Sequence, residues 1–177
     1  MKLVILDRDG VINFDSDDYI KHPDEWRPIP GSLEAIARLT QAGWRVVVAT
    51  NQAGVGRGLF DMETLNAIHA KMHKAVGQAG GRIEAVFYSA ETADSGSPFR
   101  KPAPGMFHAI SERFNVTLER VPAVGDSLRD LQAAAAVKAR PILVLTGKGE
   151  KTRAAGDLPE GTTVYPDLAA VVQELCE

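Results

Sequence analysis

The sequence predicts a doubly wound α/β fold: a Rossmann-like, mainly parallel sheet with helices on both faces and no large cap domain. Three observations predict it. Short β-branched apolar runs recur along the chain, helix-like stretches alternate with them, and polar clusters follow the ends of the apolar runs. Residues 2–6, 45–49, 83–88, 121–124 and 141–145 are each too short for a typical helix and read as buried strands. Runs such as Leu3-Val4-Ile5-Leu6 show no polar alternation, which fits parallel strands covered on both faces. Helices are predicted over 32–42, after the turn Pro30-Gly31, and over 62–78, ending at Gly80-Gly81. Three more are predicted over 104–114, 127–136 and 168–175.

Residues 15–30 and 91–105 are rich in Pro, Gly and polar side chains, and read as loops over a site. With no repeat, linker or low-complexity tract, residues 1–177 are expected to form one domain. A hydrophobic content of 45% is ample for its core. The 20 basic and 23 acidic residues leave a net charge of -3, without the cationic excess that nucleic acid or an anionic membrane usually requires. A small-molecule partner is expected, and a monomer. No apolar run approaches the roughly 20 residues of a membrane span. No signal-peptide pattern opens the chain, so a cytoplasmic location is expected. The single cysteine, Cys176, excludes an internal disulfide and a cysteine-built metal site.

Ligands of open α/β sheets bind beyond the carboxyl ends of the strands. Four polar clusters fall at such ends: Asp7-Arg8-Asp9-Gly10, Thr50-Asn51-Gln52, Arg100-Lys101-Pro102, and Gly125-Asp126-Ser127 with Asp130. Together they bring carboxylates, a hydroxyl and a cation to one crevice. Residues two apart at a strand end project in the same general direction, so Asp7 and Asp9 can reach one phosphorus. A carboxylate attacking a phosphate ester splits one hard displacement into two easier ones. An alkoxide leaves poorly at neutral pH, so a positioned acid contributes roughly 100- to 10,000-fold. Phosphate among carboxylates needs a cation, and hard oxygen ligands favour Mg2+. Arg100 can grip a second anionic group in a bidentate contact that Lys101 cannot match.

The four clusters, in this order, resemble the signature of the haloacid dehalogenase-like phosphohydrolases, and the resemblance covers nearly the whole chain. Within that superfamily four motifs look like those of the D-glycero-D-manno-heptose 1,7-bisphosphate 7-phosphatases: Asp-Arg-Asp-Gly-Val-Ile-Asn (7–13), Thr-Asn-Gln-Ala-Gly-Val-Gly-Arg-Gly (50–58), Arg-Lys-Pro-Ala-Pro-Gly-Met (100–106) and Val-Gly-Asp-Ser (124–127). Histidinol-phosphate phosphatases carry similar motifs. The resemblance implies that Asp7 is the nucleophile, Asp9 the acid and base, and Thr50 and Lys101 the donors to the phosphoryl oxygens. It implies a Mg2+ site built from the side chains of Asp7 and Asp126 and the backbone carbonyl of Asp9. Substrate contacts are expected from Asp15, Tyr19, Asn51, Gln52, Ala53, Arg57, Arg100 and Ser127. Asp130, one turn beyond Asp126, either holds a metal-bound water or caps and orients its helix.

The heptose-phosphate relatives usually carry a zinc loop of cysteines and a histidine before the Arg-Lys-Pro motif. Here Tyr88-Ser89-Ala90-Glu91-Thr92-Ala93-Asp94-Ser95-Gly96-Ser97-Pro98-Phe99 contains neither residue type, so no zinc is expected. Gly54-Val55-Gly56-Arg57-Gly58 lacks the G-x-G-x-x-G spacing and reads as a flexible turn at the mouth of the site. His69 and His73 share a helix face without the glutamate of a zinc-protease motif, and read as packed or solvated. About forty residues separate Asp9 from Thr50 and about fifty separate Thr50 from Lys101, too few for an inserted cap, so an open site is expected. The expected function is hydrolysis of a sugar phosphate, with the heptose 1,7-bisphosphate favoured and histidinol phosphate as the rival. A phosphotransferring mutase would need a shield against water. A non-catalytic phosphosugar-binding module would be expected to lack one of Asp7, Asp9, Lys101 or Asp126, and all four are present.

Overall fold

The computed structural model describes Met1–Glu177 throughout. The strands are β1 (Leu3–Leu6), β2 (Arg45–Asn51), β3 (Ala85–Ser89), β4 (Pro122–Gly125), β5 (Arg140–Val144) and β6 (Thr163–Tyr165). The helices are α1 (Ser32–Gln41), α2 (Ala53–Gly56), α3 (Met62–Gln78), α4 (Gly105–Phe114), α5 (Leu128–Ala136), α6 (Gly149–Ala155) and α7 (Leu168–Leu175). One sheet of order β3-β2-β1-β4-β5-β6 holds every strand, and each neighbouring pair is parallel. The expected sheet was mainly parallel; it is wholly so. The order reverses between β1 and β4, and a crevice opens at the carboxyl end of such a reversal.

Strand alternation builds two cores from one run of apolar residues. Val4, Leu6, Val46 and Val48 face a cluster closed by Ile36 and Leu39 of α1, Ile68 and Met72 of α3, and Val171 of α7. Leu3, Ile5, Val47 and Ala49 face the other way, against Met106 and Ile110 of α4 and Ala133 and Ala134 of α5. Both faces of the sheet are therefore covered, as the unbroken apolar strands require.

Predicted and observed elements differ where local signals are weakest. The helix predicted over 62–78 has those bounds, with Asp61 accepting at 2.8 Å from the Thr64 N–H as its cap. α6 and β6 were not predicted: α6, Gly-Glu-Lys-Thr-Arg-Ala-Ala, has no apolar stripe, and β6 has only three residues. Residues 54–58 correct an expectation. In place of a flexible turn, Ala53–Gly56 forms α2, with Gly54 against the Phe60 ring and Gly56 against the Ala90 carbonyl. A Cβ at Gly56 would stand 2.2 Å from that oxygen, so close packing explains the glycine.

The loop over 15–30 is anchored rather than draped. Trp26, 1% exposed, sits in the first core, and Lys71 of α3 donates to the carbonyls of Pro23 at 2.7 Å and Trp26 at 2.9 Å. Trp26→Ala should lower the unfolding free energy by about 3–5 kcal/mol in urea denaturation, because the cavity would open between loop and helix. A loss under about 1 kcal/mol would show that the loop packs independently of the core.

Candidate active site

The crevice at the switch point is a cleft of about 200 Å³. Its floor is electrostatic. The Lys101 ammonium, on a residue 2% exposed, donates to Asp130 Oδ1 at 2.7 Å and to the Ala49 carbonyl at 2.8 Å, and lies 3.3 Å from Asp7 Oδ1. Carboxylate oxygens of Asp7, Asp126 and Asp130 all lie within 4.8 Å of one another. Burial and then Asp130 raise the Asp7 pKa well above the usual carboxylate range, with Lys101 opposing them. Burial and then Asp130 push Asp126 to about 7. Burial would lower the Lys101 pKa, but Asp130 and Asp7 hold it above the ordinary lysine value. Burial would raise Asp130, yet the Lys101 charge and the Ser127 hydrogen bonds hold it down.

One ammonium among three carboxylates leaves excess negative charge on Asp7 and Asp126. That excess, with an all-oxygen donor set, fits a hard divalent cation such as Mg2+. Asp130 is otherwise engaged. Its Oδ1 takes Lys101, and its Oδ2 accepts from the backbone N–H of Asp126 at 3.2 Å and of Ser127 at 3.1 Å, and from the Ser127 hydroxyl at 3.0 Å. Of the two roles expected for Asp130, the structure shows the cap that orients α5.

Asp126 is clasped by backbone. A Cβ on Gly10 or Gly147, both at positive φ, would fall 2.0 Å or 2.3 Å from Asp126 Oδ2, and the Lys148 N–H donates to that oxygen at 2.9 Å. The Thr146 hydroxyl donates to the Gly10 carbonyl at 2.6 Å, joining the loop after β5 to the loop after β1. Thr146, Gly147 and Lys148 escaped sequence reading because Thr-Gly-Lys after a strand is indistinguishable from an ordinary turn.

The second strand end supplies a wall. The Asn51 side chain donates to the Lys101 carbonyl and accepts from the Lys101 N–H, both at 3.0 Å, fixing the loop that delivers Lys101. Gln52 Nε2 donates to Thr50 Oγ1 at 2.9 Å and to Asp9 Oδ2 at 3.1 Å. Thr50, 1% exposed, lies behind the residues that line the cleft. Its oxygen accepts from Gln52, and its O–H faces the Asn51 carbonyl at 3.5 Å, a contact long enough to give way to a ligand.

The remaining expected residues reach the cleft. Asp9, Asp15, Tyr19, Ala53, Arg57, Arg100 and Ser127 line it together with Asp7, Asn51, Gln52, Lys101 and Asp126. Ser16 and Asp17, from the loop expected over the site, line it as well, as do Arg129 and Lys148, which were not anticipated. Arg129 is the third residue of a predicted helix, where a solvated arginine is the ordinary reading. At the rim, Arg57 stacks over the Tyr19 ring at 5.9 Å, and Arg100 donates to the Glu91 carbonyl at 3.1 Å. Burial first, then the nearby charge of Arg129, lowers the Arg100 pKa, with Tyr19 opposing and Arg57 adding to the shift. Lys148 lies 3.3 Å from Asp15 and ties the 15–19 loop to the loop after β5. The stretch 88–99 brings no histidine or cysteine to the site.

No helix is long and apolar enough to cross a membrane. Residues 8–138 match the haloacid dehalogenase-like hydrolase family. The chain is 61% identical over 177 residues to the D-glycero-beta-D-manno-heptose-1,7-bisphosphate 7-phosphatase of Bordetella bronchiseptica, covering 100% of this chain and 99% of that one. It is 54% identical over 175 residues to the enzyme of the same name from Pseudomonas putida, covering 99% of each. The B. bronchiseptica D,D-heptose 1,7-bisphosphate phosphatase, solved with magnesium and phosphate, superimposes with a TM-score of 0.98 at 62% identity, over 99% of this chain and 98% of that one. A switch-point cleft floored by Asp7, Asp126 and a buried Lys101, on a sheet that these proteins share from end to end, leaves one assignment: the chain belongs to the haloacid dehalogenase-like hydrolases.

Proposed function

We propose that this protein hydrolyses the 7-phosphate of D-glycero-D-manno-heptose 1,7-bisphosphate through a phosphoaspartate on Asp7. The observation that carries the reading is the division of charge in the cleft. Its floor gathers Asp7 and Asp126 around one buried ammonium, while its rim carries Arg57, Arg100 and Arg129. A floor of that kind suits the phosphoryl group that is transferred, and a cationic rim suits a second phosphate at the other end of one sugar. Full-length identity to the heptose bisphosphate phosphatases supports the choice of sugar.

In the first step a carboxylate oxygen of Asp7 bonds to phosphorus as the bond from phosphorus to the sugar oxygen breaks. Asp9 gives its proton to that leaving oxygen. In the second step water attacks the phosphorus of the acyl phosphate, Asp9 takes a proton from it, and inorganic phosphate leaves with Asp7 restored. The Lys101 ammonium and the Thr50 hydroxyl are the donors aimed at the phosphoryl oxygens, where transition-state charge lies. Asp7, Asp126 and the Asp9 carbonyl would hold Mg2+, which supplies charge neutralisation at the phosphoryl oxygens. With no cysteine or histidine in 88–99, the loop before Arg100 is held by its own hydrogen bonds, including the Arg100 contact to Glu91, and without zinc.

Phosphate release measured across a panel of phosphorylated sugars, with the position of the remaining phosphate read by phosphorus NMR, tests the substrate. The heptose 1,7-bisphosphate should lead and yield the 1-phosphate; a higher kcat/KM for histidinol phosphate would overturn the assignment. Removal of divalent ions should abolish turnover and Mg2+ alone should restore it, whereas a zinc-selective chelator should change nothing; full activity without magnesium would sink the metal reading. Asp7→Asn should cut kcat by at least about 1000-fold and leave no phosphoenzyme in mass spectra, since an amide is a poor nucleophile. A phosphoryl group trapped on another residue would identify a different nucleophile. Arg100→Ala should lower kcat/KM about 10- to 100-fold for the bisphosphate, the worth of lost charge-assisted hydrogen bonds, and far less for an aryl phosphate. Equal losses would place Arg100 at the transferred phosphoryl group.

A further inference from the structure

A buried polar network behind the cleft is not used by the steps above. Arg8 stands between the two catalytic aspartates and has no exposed surface. Its Nε donates to Asp9 Oδ1 at 2.9 Å, and its Nη2 lies 2.8 Å from that oxygen and 3.3 Å from Gln52 Oε1. Its Nη1 lies 3.1 Å from Nε2 of His69, which comes from α3, 61 residues along the chain. A guanidinium has only donors, so His69 Nε2 must be the acceptor and the ring hydrogen sits on Nδ1. Burial and then the Arg8 charge bring the His69 pKa down to about 3, which keeps that lone pair available at neutral pH.

Stability alone does not account for a cation at this place. Desolvating a guanidinium costs several kcal/mol, and apolar side chains of similar volume usually serve a core as well or better. The network does accomplish one specific thing: Asp9 Oδ1 is held by Arg8 and by Asn13 Nδ2 at 3.0 Å, and Asp9 Oδ2 by Gln52 at 3.1 Å, so the carboxyl plane cannot turn. Gln52 in turn accepts from Arg8, which closes a ring of three side chains. His69 alone secures the far edge of the guanidinium.

We propose that His69 is a positioning residue for proton transfer: by accepting from Arg8 Nη1 it fixes the guanidinium that, with Asn13 and Gln52, holds the Asp9 carboxylate toward the cleft. This rests on the reading of Asp9 as acid and base. His69 touches neither substrate nor phosphorus. Its effect should follow the demand for a well-aimed proton, which is high for a sugar alkoxide and low for a nitrophenolate.

The test compares His69→Leu, which keeps bulk without an acceptor, with His69→Gln, which keeps an acceptor, each alone and combined with Asp9→Asn. Rapid quench with the heptose bisphosphate and with nitrophenyl phosphate separates the two steps. His69→Leu should lower kcat for the bisphosphate on the order of 10- to 100-fold with KM little changed. With nitrophenyl phosphate it should give a burst followed by slow turnover, and His69→Gln should recover most of the loss. In the Asp9→Asn background His69→Leu should cost almost nothing further, because no carboxylate remains to be aimed. Equal first-step losses on both substrates, or a loss undiminished beside Asp9→Asn, would reduce His69 to a packing residue. If Asp9→Asn gives its burst while His69→Leu leaves kcat unchanged, only the positioning role fails. If Asp9→Asn itself slows both first steps equally, the acid-base reading fails and the positioning role falls with it. Circular dichroism melts verify that each variant is folded; should His69→Leu not fold, the same comparisons are read on His69→Ala.

Discussion

The site is organised around one buried ammonium. Lys101 is nearly sealed from water, and a lone charge there would be costly unless paired and fully hydrogen-bonded. Asp130 gives the shortest partner, the Ala49 carbonyl the next, and Asp7 the third, which uses all three donors of the ammonium. The arrangement constrains three segments at once. It sets where β2 ends, how α5 begins, and how the loop before α4 must enter, which is why the Asn51 amide clamps the Lys101 backbone on both sides.

The same ammonium explains why Asp130 and Asp126 differ although they lie four residues apart. Asp130 spends both oxygens on Lys101 and on the first turn of α5, and its charge is secured there. Asp126 has a single backbone donor, on one oxygen, and the repulsion of Asp130 beside it, so it stays electrostatically in need of a cation. Two glycines bring the loops after β1 and β5 against Asp126, at distances that no side chain would allow. A carboxylate short of a cation, a helix cap and a charge partner thus come from a single five-residue turn.

Openness at the rim is balanced by order beneath it. The 15–30 loop meets the cleft through Asp15 and Tyr19, while Trp26 and the Lys71 contacts fasten its far end to the first core. Arg57 caps the carboxyl end of α2, whose glycines pack against Phe60 and Ala90, so this cation too is carried by a fixed element. A cleft without a cap domain can select a substrate with such a rim because ordering cost falls on the ligand and little on the protein.

The sequence by itself determined the fold class, the order of the four polar clusters and the identity of Asp7, Asp9, Lys101 and Asp126 as a group. Each of those rests on a local signal: apolar runs of strand length, a turn at each carboxyl end, and residue types whose chemistry is read without knowing their neighbours. Only the tertiary structure decided the rest. Asp130 as the partner of Lys101, Gly147 and Lys148 as the clasp on Asp126, and His69 behind Arg8 are contacts between segments 21 to 61 residues apart, and no spacing rule encodes them. α6 and β6 were hidden for a related reason, since both lack a periodic apolar face and take their form from the sheet they join. Local patterns report what a segment can become, whereas burial, which turns a histidine into an acceptor and leaves an aspartate in need of a cation, exists only once distant segments have met.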